Sequence, residues 1–158
     1  MQTQYQNIIN DKNDPFKDGF YVPENVYIIG TMNDIDRSVE SMDFAMRRRF
    51  AWQEIKAGDT QDMLSELGDK QQEAKNRMDN INNAIIDKYN YNNDTYKDIQ
   101  IGLTPAYQIG ASYFLKLKNY GNDFEKLWDY HIKGLLFEYL RGQEDADKKL
   151  EALHSAYE

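Results

Sequence analysis

Val26-Tyr27-Ile28-Ile29 runs straight into Gly30, and no other stretch constrains the fold of this chain so tightly. The run is apolar on both faces, which suits a central parallel strand better than a half-exposed one. A buried parallel strand needs strand neighbours and helices over its faces. One other strand candidate lies nearby, Phe50-Ala51-Trp52-Gln53-Glu54-Ile55. Two strands and one helix make too small a sheet. The expectation is therefore either an unusual fold or a part of a larger α/β domain whose earlier strands are missing.

Past Gly30, the amide of Asn33 stands just beyond the expected strand end, where α/β folds gather their ligands. An amide donates and accepts at once, so Asn33 is suited to orient a water and bond a phosphoryl oxygen. The competing reading is a turn cap. Asp34 and Asp36 either hold Arg37 or form an Asx-turn before Ser38. No third ligand accompanies the two aspartates, so no metal site is expected.

Ser38 is the expected N-cap of a helix with Glu40 and Asp43 near its positive end. Val39, Met42, Ala45 and Met46 form its inward stripe, and Arg47, Arg48 and Arg49 close its last turn. Successive helical residues point about 100° apart, so three adjacent arginines do not share one role. A guanidinium that reaches a phosphoryl group from an adjacent subunit is an arginine finger. A cationic clamp on the helix C-terminus is the competing reading.

The pattern changes at Ala57-Gly58-Asp59, after which nothing reads as parallel sheet. Asp59 is expected to cap a short helix ending at Gly68. A longer helix over about 69–89 follows, with Ala74, Met78, Ile81, Ile85 and Tyr89 on one face. Asn90 to Asp94 breaks it, and Thr104-Pro105 opens another carrying Tyr107, Ala111, Phe114 and Leu115. Asn122 with Glu125 reads as a capping box for a helix bearing Phe124, Leu127, Trp128, Ile132, Leu135, Leu136, Tyr139 and Leu140. Gly142 ends it, and a last helix carries Ala146, Leu150, Leu153 and Tyr157. The expected class is α+β, mainly helical: a partial α/β core over 1–57, then a helical bundle over 58–158.

Composition narrows the function. Hydrophobic residues make up 41% of the 158, enough for a core. The formal net charge of -8 argues against sequence-independent grip on nucleic acid, which takes many phosphate contacts. Without cysteine there is no disulfide framework and no thiolate zinc site. No stretch is long and apolar enough to span a bilayer, and the N-terminus lacks signal-peptide character, so the expected location is cytoplasmic. His131 and His154 have no carboxylate and nucleophile at telling spacing, and are read as structural or surface histidines. No phosphate-binding Gly-x-x-x-x-Gly-Lys-[Ser/Thr] loop occurs, so unaided nucleotide hydrolysis is not expected.

Asn25-Val-Tyr-Ile-Ile-Gly-Thr-Met-Asn-Asp-Ile-Asp-Arg-Ser-Val39, followed by Met42-Asp-Phe-Ala-Met-Arg-Arg-Arg-Phe50, closely resembles the second half of the AAA+ module of McrB-type proteins. Those are the GTP-hydrolysing motor subunits of modification-dependent restriction systems. Ile109 to Phe114 and Trp128 to Leu140 resemble the family's helical lid, so the likeness runs from about Phe20 to Leu140. By that resemblance, Asn33 is a sensor asparagine and Asp36 with Arg37 a pair organising the nucleotide-facing or intersubunit surface. Arg48 and Arg49 match the arginines nearest the finger, ahead of Arg47. The sequence departs from the family at Asp34, Ala111 and Gly134, and it lacks Walker A and Walker B parts.

The resemblance implies GTP (or ATP) with Mg2+ in the complete module, with neither bound tightly by this chain alone. It implies identical or missing-half AAA+ subunits in a ring, a nuclease subunit, and DNA reached through the full complex, with no membrane. The expectation is a C-terminal fragment of such a motor. The alternative is a non-enzymatic interaction or regulatory module that associates with AAA+ rings.

Overall fold

Helix dominates what the computed structural model describes, which is residues 19, 22–33, 35, 44–86 and 101–158. Six α-helices are described: α1 (Phe44–Arg47), α2 (Gln71–Ile86), α3 (Ala111–Leu115), α4 (Phe124–Leu127), α5 (Lys133–Leu140) and α6 (Ala146–Tyr157). A 3-10 helical segment, Ala57–Lys70, precedes α2, and a second, Lys116–Tyr120, extends α3. The π-helical turn Trp128–Ile132 joins α4 to α5.

No strand occurs among the described residues, which overturns the expected α+β class with its AAA+ core remnant. A strand exists through its ladder, and β propensity alone does not supply one. Val26 to Ile29 lie in no ladder; Tyr27 is 88% exposed and Ile29 91%. Phe50 to Ile55 are likewise irregular and exposed. A helix lying on a sheet accordingly does not exist among the described residues. Of that expected helix, Ser38, Val39, Glu40, Met42 and Asp43 lie outside the described residues, and α1 is a single turn.

The chain divides into two compact units, 1–33 and 34–158. In the first, the Val26 amide donates to the Pro23 carbonyl at 3.1 Å, closing a turn before the exposed apolar run. The second holds the core. Ala74, Met78, Ile81 and Ile85 are all buried on one face of α2, as their spacing predicts, whereas Tyr89 lies outside the described residues. This helix packs against α6 and Ala57–Lys70, which in turn meets α3. Leu64, Phe114, Leu127, Ile132, Leu136, Leu140, Leu153 and Tyr157 complete the core.

Local chemistry sets the ends. Asp59 does not cap from outside; its carboxylate accepts the Lys56 amide at 3.0 Å from inside the first turn. Gly68 ends the regular 3-10 stretch at φ 55°, ψ -123°, a conformation reserved for glycine. Pro105–Tyr107 is one 3-10 turn, and the chain starts helix again after Gly110. The N-cap of α4 is Asp123, one residue after the expected Asn122. Its carboxylate accepts the amides of Glu125 at 3.0 Å and Lys126 at 3.1 Å.

Three polar side chains pin the core together. Buried Asn82 in α2 donates to the Ile109 carbonyl at 2.9 Å and accepts the Ile109 amide at 2.6 Å. Tyr157 donates its hydroxyl to the Phe124 carbonyl at 2.9 Å. Arg77 donates to the Tyr157 carbonyl at 3.1 Å, with its guanidinium over the Phe124 and Tyr157 rings.

Candidate functional site: the arginine turn

Helix α1 runs out immediately before the arginines predicted as functional. The Arg48 amide reaches the Phe44 carbonyl at 3.2 Å, and the Arg49 amide reaches Met46 at 3.0 Å. The turn is fastened by Trp52, whose indole N–H donates to the Arg47 carbonyl at 2.7 Å. The Arg47 guanidinium lies 5.1 Å from the centre of the Trp52 ring. Arg47 is thus held by a cation–π contact. Arg48 and Arg49 are exposed, and neither pairs with a carboxylate among the described residues.

Around them the surface is aromatic. Phe44 is 80% exposed and Trp52 47%, and Met46, Phe50 and Ile55 are exposed as well. Ile55 also borders an open groove of about 240 Å³ with Lys56, Thr60, Met63, Gln108 and Ser112. Arginine beside aromatic rings and methionine is the composition of protein–protein contact surfaces.

Asn33 falls in the first unit, is exposed, and follows the unpaired run Val26 to Ile29. Asp36 and Arg37 lie outside the described residues. Of the residues expected around a nucleotide, Arg48 and Arg49 share one turn of the second unit, and Asn33 belongs to the first.

His131 sits in a hydrogen-bonded chain that sequence reading missed. Its Nδ1 lies 3.4 Å from the Lys116 ammonium and its Nε2 2.9 Å from the Tyr120 hydroxyl. An ammonium only donates, so Nδ1 accepts and the ring proton sits on Nε2, donating to Tyr120. Burial lowers the His131 pKa and the Lys116 charge lowers it further.

Comparison with known proteins bears on what such a surface meets. Over 97 residues the chain is 41% identical to the Type IV methyl-directed restriction enzyme EcoKMcrB subunit of Escherichia coli (strain K12). Those 97 residues are homologous to part of a McrB subunit. The match takes in 60% of this chain and 20% of the longer Escherichia coli subunit. No family model matches the sequence and no solved structure matches the fold. The likeness carries a link to a restriction system. It does not carry AAA+, GTPase, GTP-binding, hydrolase or endonuclease-subunit character, because the described residues of this chain form no sheet core to hold a nucleotide.

Proposed function

We propose that this chain is a non-enzymatic interaction module that associates with rings of McrB-type subunits. The observation that carries the reading is 41% identity to a McrB subunit together with a described fold of helices and no sheet. Two exposed surfaces support it. One is the run Val26 to Ile29, whose unladdered backbone and apolar side chains suit addition to the edge of another chain's sheet. The other is the turn of Arg48 and Arg49 among exposed aromatics.

In this reading the segment up to residue 57 supplies the contacts and 58–158 is the scaffold. Arg48 or Arg49 reaches the neighbouring subunit, and Asn33, Asp36 and Arg37 belong to the same contact segment. GTP (or ATP) with Mg2+ is held by the partner subunits rather than tightly by this chain. The nuclease subunit and DNA are met through the assembled complex, in the cytoplasm. The net charge of -8 fits that indirect route to DNA. No helix among the described residues is long and apolar enough to cross a membrane.

The test is to mix the chain with the Escherichia coli McrB subunit and measure mass by light scattering during gel filtration. Co-elution is expected, weakened by replacing both Arg48 and Arg49 with Ala. Separate elution at micromolar concentrations contradicts the proposal.

A further inference from the structure

His154 lies in the last turn of α6, and the Glu158 amide donates to its carbonyl at 3.1 Å. That helical register puts the two side chains four residues apart on one face. Glu125, at the start of α4, faces them. Ligand atoms of Glu125, His154 and Glu158 all lie within 4.8 Å of one another.

The arrangement is short of positive charge. His154 Nε2 is shielded from solvent yet has no hydrogen-bond partner, although Glu125 Oε2 stands 3.5 Å away. Neither glutamate pairs with a lysine or arginine among the described residues. The imidazole is also held in place, its ring centre 4.4 Å from that of Trp128. A solvent-shielded imidazole nitrogen within reach of two carboxylates is a donor set that suits a divalent cation.

We propose that Glu125, His154 and Glu158 form a divalent transition-metal site of the zinc class that clips the end of α6 to the start of α4. One imidazole nitrogen and two carboxylate oxygens are the donors that zinc accepts, with water completing four-coordination. Magnesium is disfavoured, because it prefers an all-oxygen octahedron. Bond lengths of about 2.0–2.2 Å require the three donors to close in slightly, well within the reach of two exposed glutamates. The role is a structural clip, since it joins two helices that already meet through Tyr157 and Phe124.

The experiment uses the full chain without a histidine tag, stripped of metal, titrated with zinc chloride by calorimetry and followed by thermal unfolding. The expected result is one zinc per chain and a raised Tm, with no rise from magnesium. His154→Gln and Glu158→Gln are each expected to weaken binding by at least roughly tenfold. Circular dichroism checks that each variant keeps its helices; should His154→Gln not fold, Glu158→Gln, at an exposed position, decides. No binding heat and no change in Tm, or equal zinc affinity in the variants, overturns the site.

Discussion

A buried amide and a half-buried imidazole show how single residues set this fold. Asn82 satisfies both backbone groups of Ile109, so Asn82→Ala leaves a buried donor and a buried acceptor unpaired. The expected loss is about 2–3 kcal/mol in urea unfolding, with helical content retained. A loss within error of zero would mean that the segment before α3 finds other partners. Nothing in the sequence marked Asn82, since a polar residue on a helix facing the core looks like one facing water until the core is built. His131 gives a pH test. Its pKa is depressed in the folded chain, so the unfolded chain binds more protons below the ordinary histidine value of about 6.5. The stability contribution of this group is complete above about pH 6.5 and is lost as pH falls from there through the folded pKa. His131→Gln should therefore lose less of its urea midpoint between pH 7.5 and pH 5.5 than the parent. Equal losses would show that the ring does not carry the effect.

Among the elements, the helices were legible, whereas the expected strands do not occur among the described residues. Helical spacing identified the buried faces of α2 and of the run from α4 through α5, because both faces enter one core within this chain. Val26 to Ile29 has strand composition but no ladder, and a ladder depends on a neighbour that local sequence does not encode. Boundaries slipped by small amounts for identifiable reasons. Asp123 rather than Asn122 caps α4, as a carboxylate there meets two free amides. The π-helical turn at Trp128–Ile132 left no periodic trace. His154 was read from the sequence as a structural or surface histidine, and Glu125 came beside it only once α4 and α6 were placed together. Gly68 was read correctly as a stop. Its left-handed φ strains any L side chain even though an added Cβ would meet nothing within 4 Å. Gly68→Ala is expected to cost about 1–3 kcal/mol through the backbone alone, read as a lowered urea midpoint. An unchanged midpoint would refute that assignment.

For the whole molecule, homology and architecture point the same way once each is given its proper reach. The shared 97 residues connect the chain to a restriction subunit, while the described residues hold a helical core and exposed arginine and apolar surfaces. Of the predicted site, the arginine turn was legible as a local cluster. On the proposed reading, the chain acts by altering what its partners do. The most direct measurement is phosphate release from GTP by the purified chain, by the Escherichia coli McrB subunit, and by the two mixed. The account predicts no turnover by the chain alone and a changed rate in the mixture. Turnover by the pure chain, or a mixture indistinguishable from the McrB subunit alone, would contradict it.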